Sequence, residues 1–116
     1  MESVYFSNLG DYDITTALGY VKDGGSIKSI TRGKINIFRI EPLIEKIHKS
    51  MDDMNENDWL VLAGNSFVSA LCCSIAYRKF SKVKLLVWDA VAREYKPIET
   101  DLDRNFNASD FHNAEV

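Results

Sequence analysis

Cysteine and histidine are scarce in this sequence, and their scarcity narrows the class of protein. The 116 residues include two cysteines and two histidines. Cys72 and Cys73 are neighbours, and adjacent cysteines rarely bridge because the disulfide geometry strains the peptide between them. A disulfide framework within the chain is therefore excluded, and we expect a reducing compartment. His48 and His112 stand apart from each other and from the cysteines, so metal-ligand spacing is missing as well.

Long apolar runs and a strong charge of either sign are also missing. No stretch approaches the roughly 18 consecutive apolar residues of a membrane-spanning helix. The first residues lack the basic segment followed by an apolar one that marks a secretory signal. The formal net charge is only −3, which disfavours nucleic acid as a partner because broad binding needs a basic surface. We predict a cytoplasmic protein, in the host cytoplasm if it is viral, with no membrane partner.

Catalytic signatures are missing too. Ser66 is the one well-placed serine, and no histidine accompanies it as a general base. Neither the phosphate-binding loop signature nor the glycine-rich dinucleotide signature occurs. Hydrolase and metalloenzyme functions are therefore disfavoured, and we expect neither a metal ion nor a cofactor.

The length and composition that are present favour one globular domain. A domain takes about 100–200 residues, and 46% hydrophobic with 27% charged residues is ordinary for a folded protein. Residues 101–116 hold four acids and one base, so they carry the whole net charge and residues 1–100 are formally neutral. Because that last stretch is also polar and aperiodic, we predict a compact domain over 1–100 and a flexible acidic tail over 101–116. A neutral domain lacks self-repulsion, which makes self-association easier.

Hydrophobic periodicity predicts two main helices in a small α/β fold. Pro42 suits the first turn of a helix, where its missing N–H would have no partner, and apolar residues recur after it at helical spacing. A second stripe of that period follows Gly64. A short third helix is expected with Asp13 as its cap. The predicted helices span residues 42–54, 67–80 and 14–21.

Strand-forming segments complete a mixed sheet of four to five strands. The continuous apolar run before Gly64 is typical of a strand buried on both faces, and another apolar strand follows the 67–80 helix, which makes a βαβ unit. Pro97 cannot donate to a ladder, so it marks an edge strand paired in a C-terminal hairpin. A strand after Gly33 is expected to pair with residues 26–31. The predicted strands span residues 3–8, 34–40, 59–63, 83–88 and 94–99.

The turn Gly64-Asn65-Ser66 is the best candidate for a ligand site. Ligands of open α/β sheets bind beyond the carboxyl ends of parallel strands. Gly64 permits a sharp turn, and Asn65 or Ser66 would cap the next helix, whose free N–H groups favour an anion such as phosphate. The alternative is a turn that is capped for structural reasons alone, which is the commoner case.

Further polar residues would join the same edge of the sheet if the strands are parallel. Asp89 and Asn8 each follow a predicted strand. A carboxylate at Asp89 would bind ribose hydroxyls, a metal ion or an amine, and its alternative role is to start a turn. Arg32 and Lys34 would offer cations to a phosphate, although they are more simply surface residues. The candidate ligand-binding residues are Gly64, Asn65, Ser66, Asp89 and Asn8.

Aromatic side chains offer a protein interface as another use of the surface. Tyr and Trp are favoured at binding surfaces. Tyr77 lies off the apolar stripe of its helix and is expected to be exposed. Trp88 lies in an apolar strand and is expected in the core.

Three short segments resemble small proteins encoded by tailed bacteriophages. They are residues 58–65 (DWLVLAGN), 83–89 (VKLLVWD) and 95–98 (YKPI), and the resemblance covers roughly the C-terminal half. It implies an accessory phage protein that acts in a bacterial cytoplasm. It carries over no activity and no catalytic residue.

Two functions from different classes remain open. Because no catalytic group is complete, the leading prediction is a non-catalytic binding or regulatory protein that acts through a protein partner or as a homo-oligomer. The alternative is a nucleotide- or phosphometabolite-binding protein that uses residues 64–66 and Asp89. A nucleic-acid binder is the third and weakest prediction.

Overall fold

The structure is a computed structural model that describes residues 1–102. These residues form a five-stranded sheet, two α-helices and one turn of 3-10 helix. The predicted tail lies outside the described residues apart from its first two, and Asp101 belongs to the last strand. The elements are β1 (Val4–Asn8), the 3-10 helix (Ala17–Tyr20), β2 (Ile27–Thr31), α1 (Ile40–Met51), β3 (Trp59–Val61), α2 (Ser66–Lys79), β4 (Lys82–Asp89) and β5 (Glu94–Asp101).

The sheet is mixed, and its strand order is β2-β1-β3-β4-β5. The first four strands are parallel, whereas β5 runs antiparallel to β4. The predicted α/β fold, its βαβ unit (β3, α2, β4) and its C-terminal hairpin are therefore confirmed. Pro97 lies opposite Leu86 on the edge strand β5, where a missing N–H costs the ladder least.

The predicted strand over residues 34–40 is wrong. β2 pairs with β1 in parallel, and the residues after it form a loop that leads into α1. Asn36 turns this loop, since its side chain accepts from the Phe38 N–H and its carbonyl accepts from the Arg39 N–H. The alternating Ile35 and Ile37 are half-buried against the core from this loop, which explains a strand-like pattern without a strand.

The predicted helix over residues 14–21 is also wrong in type and extent. Only the 3-10 turn Ala17–Tyr20 is present there, and no side chain caps it. The Asp13 carboxylate instead accepts from the N–H and the hydroxyl of Thr15. Local bonding of this kind competes with a helix start.

Both faces of the sheet are covered, by different structures. On one face α1 and α2 pack over Tyr5, Leu60 and Val83. On the other face the segment that contains the 3-10 helix packs over Phe6, Trp59 and other apolar side chains. All three residues of β3 are buried, as the continuous apolar run predicts for a central strand.

Two aromatic residues lie where the sequence did not predict them. Trp88 is 43% exposed, because β4 continues past the end of β3 and leaves Trp88 without a neighbouring strand on that side. Tyr77 is half-buried against the core, and its hydroxyl is hydrogen-bonded to that of Thr100. Tyr77 therefore ties α2 to the hairpin.

The Lys79 ammonium joins the two helices. It donates to the carbonyls of Met51, Asp52 and Met54, at 2.6, 3.2 and 3.1 Å. A cation is favourable at the C-terminal end of a helix, here α1. Within residues 1–102, neither helix has the length and apolar character needed to cross a membrane.

Candidate functional site at the carboxyl edge of the sheet

The carboxyl ends of β1 and β3 meet where the strand order reverses. From β1 the chain goes to β2 on one side and to β3 on the other, and such switch points are the usual ligand crevices of open α/β sheets. Gly64 has φ +84°, and a Cβ added to it would lie 3.1 Å from the Asn8 Cβ. Asn8 and Gly64 are thus brought together. That they bind a ligand stays a prediction.

Asn65, rather than Ser66, caps α2. The Asn65 side-chain oxygen accepts from the N–H groups of Phe67 and Val68, at 2.8 and 3.2 Å. Ser66 is the exposed first residue of the helix. Two of the N–H groups that would attract an anion are therefore already bonded within the chain, which supports the structural alternative for this turn.

Asn8 also holds the loop that follows β2. Its side-chain N–H donates to the Gly33 carbonyl at 2.9 Å. Gly33 is flanked by Arg32 and Lys34, both exposed, so the two cations lie on the β2 side of this edge.

A network of buried hydroxyl groups, which the sequence did not predict, holds β1 against its neighbours at the switch point. The Ser7 hydroxyl donates to the Ala63 carbonyl at 2.5 Å and accepts from the Ala63 N–H at 2.7 Å. It lies 3.0 Å from the Ser69 hydroxyl. The Thr31 hydroxyl donates to the Ser7 carbonyl at 2.7 Å. The signal in the sequence is a serine within an apolar strand. Ser7 is fully buried, so its hydroxyl links β1 to the end of β3 and does not act as a nucleophile.

Asp89 is used by the hairpin turn. Its carboxylate accepts from the N–H groups of Val91 and Ala92, at 3.0 and 3.1 Å, and lies 2.8 Å from the Lys96 ammonium. The hydrogen bond from Lys96, followed by that from Ala92, lowers the pKa of Asp89 below its ordinary value. These contacts match the turn-starting alternative, and that Asp89 binds a ligand stays a prediction.

An apolar cleft of about 490 Å³ lies at this edge between β3 and β4, and the sequence analysis did not predict it. β3 ends at Val61, whereas β4 continues to Asp89 beside β5. The gap is lined by Leu62, Val87 and Trp88, and by residues 11–13 of the loop after β1. The signal in the sequence is the unequal length of the two strands, which single-strand patterns do not reveal.

Three aromatic rings line the cleft. The rings of Trp88 and Tyr95 meet edge to face, with centroids 5.0 Å apart and an interplanar angle of 67°. Tyr12 is 51% exposed, and its hydroxyl accepts from the Gly64 N–H at 3.3 Å. The cleft therefore adjoins the Gly64 turn.

The cleft is also acidic, because Asp11 and Asp13 line it. Hydrogen bonds from the Thr15 hydroxyl and N–H lower the pKa of Asp13, so this carboxylate is ionised at neutral pH. Burial, followed by the negative charge of Asp13, raises the pKa of the Tyr95 hydroxyl.

The cysteines, possible metal ligands and a second cleft were the other candidates for chemistry within residues 1–102. Burial, followed by repulsion from Cys73, raises the pKa of the Cys72 thiol to about 12, so a reactive thiolate is not favoured. Within residues 1–102 no cluster of three or more His, Cys, Asp or Glu side chains is arranged to hold a metal ion. A second, polar cleft at the amino edge carries Lys82, Lys84 and Glu99, charges of both signs.

Fold and edge together define a small α/β protein with a four-stranded parallel sheet, an antiparallel hairpin and an aromatic, acidic cleft. The chain belongs to the phage Pam3 gp32-like protein family, whose model matches residues 7–102. The resemblance to phage proteins is thereby confirmed, and it extends well beyond the C-terminal half. No curated protein and no solved structure matches the chain.

Proposed function

We propose that this phage protein is a non-catalytic binding protein that acts on another protein in the host cytoplasm. The observation that carries the proposal is an exposed apolar surface at the β4–β5 end of the sheet, here named the hairpin surface. Its members are 43–46% exposed although all are large and apolar: Leu62, Val87, Trp88 and Ile98.

The members of the hairpin surface are neighbours rather than scattered residues. Leu62, Val87 and Trp88 line one cleft, and Ile98 lies opposite Leu85, another residue of that cleft, on the paired strand. Grouped apolar exposure marks interaction sites, whereas single exposed residues need no explanation. Trp88 follows Val87 along β4, so its side chain points to the other face of the sheet and lines the cleft from that side. Tryptophan is typical of residues that dominate binding energy.

The charge around the hairpin surface favours a different protein over a second copy. Asp11 and Asp13 lie beside it. A two-fold dimer through this surface would bring the same acidic loop towards itself, because both copies present the same patch. A partner with basic residues beside apolar ones would complement it instead.

Retention of host proteins on the immobilised full chain tests the proposal. Leu62→Ser removes an apolar side chain from a loop of the hairpin surface, and Phe38→Ser does the same on a loop elsewhere, where Phe38 is 90% exposed. We expect one host protein to be retained equally by the parent chain and Phe38→Ser, and about tenfold more weakly by Leu62→Ser, which corresponds to ~1.4 kcal/mol. Ile98→Ser should repeat the loss.

The retained protein must then form a complex of fixed stoichiometry with the purified chain in light scattering. Retention that is insensitive to Leu62→Ser and Ile98→Ser contradicts the proposal. So does a chain that retains nothing, or one that is a dimer which these two substitutions dissociate.

A second candidate function, binding of a nucleotide or phosphometabolite, is supported by the switch-point position of Asn8 and Gly64. The bonding of Asn65 to its own helix weakens it. A ligand at about 100 times its Kd should add roughly 2.7 kcal/mol of stability, so thermal shift with nucleotides separates the two functions. We expect no shift, and a shift abolished by Ser66→Glu would favour the second candidate.

A further inference from the structure

We infer that the cleft between β3 and β4 is a recognition pocket for an organic cation, which the protein partner supplies as a lysine or arginine side chain. This inference rests on the proposed function and names the chemistry of its partner.

The shape and walls of the cleft fit the stem of such a side chain. Its volume of about 490 Å³ lies within the range of small-molecule pockets. Leu62, Leu85 and Val87 are apolar walls. Lysine and arginine bury their methylene stems along apolar surface while the charged head reaches polar groups.

The aromatic rings fit the charged head. The rings of Trp88 and Tyr95 meet edge to face, with their centroids 5.0 Å apart, and Tyr12 also lines the cleft. A cation is attracted to a ring face within about 6 Å of the centroid, and tryptophan gives the strongest attraction. Trp88 and Tyr12 are exposed enough to be reached from solvent.

The charge of the cleft selects a cation over an anion. Among the ten described residues that line it, two are aspartates and none is basic. The Asp13 carboxylate is bonded to the uncharged donors of Thr15, so these contacts leave its negative charge uncompensated. Lys96 on the hairpin is bound to Asp89. An anionic ligand would meet two like charges here.

Titration with capped amino acids, followed by the indole and amide NMR signals, tests the pocket without the partner. The probes are N-acetyl-lysine methylamide and N-acetyl-arginine methylamide, and the neutral isostere is N-acetyl-norleucine methylamide. Trp59 is 7% exposed and Trp88 is 43% exposed, so the indole signal that moves identifies the site. We expect the cationic probes to shift Trp88 and residues 11–13 and to bind at least about threefold more tightly than norleucine, less so at high salt.

Matched substitutions assign the effect to its causes. Asp11→Asn should weaken the lysine probe, whereas Asp53→Asn, an exposed aspartate after α1, should not. Trp88→Leu keeps an apolar wall but removes the π-face, so it should weaken lysine more than norleucine. Equal binding of lysine and norleucine, or equal effects of the two aspartate substitutions, would overturn the inference.

The outcomes also separate this inference from the proposed function. A partner that depends on Leu62 while the lysine probe fails to bind would refute the cation pocket and leave the docking surface. A bound lysine probe with no partner that depends on Leu62 would refute the assignment to a partner's side chain.

Discussion

At the scale of single residues, two separate constraints favour glycine at position 64: the backbone dihedral angle and the close approach of Asn8. Its φ of +84° suits glycine, and the space its missing Cβ leaves is occupied by Asn8 at 3.1 Å. Gly24 has a similar φ, +79°, but nothing lies within 4 Å of an added Cβ. Comparing Gly64 with Gly24 therefore separates the cost of backbone strain from the cost of close packing.

Gly64→Ala is therefore expected to cost more stability than Gly24→Ala. Both should lose about 1–2 kcal/mol because L-residues disfavour positive φ, and Gly64→Ala should lose more because Asn8 must move. Urea unfolding of both variants measures the difference. Equal losses would show that the contact with Asn8 is unimportant.

At the scale of elements, the hydroxyl of Ser7 fastens β1 to the end of β3 and the start of α2. Ser7→Ala would leave the buried N–H of Ala63 without this partner, and such a loss costs about 1–3 kcal/mol. Ser74→Ala, on the exposed side of α2, is the control and should be close to neutral. Chemical denaturation distinguishes them, and a neutral Ser7→Ala would mean that the network does not stabilise the switch point.

The stability of the folded protein should depend on pH through Asp89 in the β4–β5 hairpin. The pKa of Asp89 is lowered in the folded protein, chiefly by the hydrogen bond from Lys96, so ionisation of Asp89 stabilises the fold. This contribution is complete above the unfolded pKa of an aspartate, and it is lost as the pH falls through the lower, folded value.

Comparison of the parent chain with Asp89→Asn over pH 2–7 measures this contribution (unfolded Asp about 3.9). The parent should be the more stable chain at pH 7, and the difference should shrink as the solution is acidified. Asp53→Asn controls for the change in net charge. A difference that does not vary with pH would show that the ion pair is not its source.

At the scale of the whole molecule, the buried residues of both hydrophobic clusters in the described part of the chain lie within residues 4–95. We expect a chain cut after Leu102 to keep the cooperative melting transition and a similar midpoint. Calorimetry compares the two chains. A truncated chain that melts without cooperativity would show that residues 103–116 are needed for the fold, contrary to the prediction of a tail.

Much of the fold could be predicted because its signals are local. The apolar run at residues 59–63, the stripe of α2 and the position of Pro97 each indicate an element and its burial from a few neighbouring residues. Local patterns gave a wrong strand at Ile35 and Ile37, because two loop residues that pack on the core alternate as strand residues do. They also misplaced Trp88, whose exposure depends on the length of a different strand.

The sequence by itself determined the β3–α2–β4 unit, the hairpin, a helix cap at either Asn65 or Ser66, and the neutral balance of residues 1–100. Periodicity, turn chemistry and charge are properties of short segments or of composition, so they can be read without the fold. Only the tertiary structure decided that β2 lies parallel to β1 and that Asn8 lies against Gly64. It also decided that β4 extends beyond the end of β3, which opens the cleft lined by Tyr12, Trp88 and Tyr95. Strand partners are chosen by packing between residues far apart in the chain, and no local pattern records that choice.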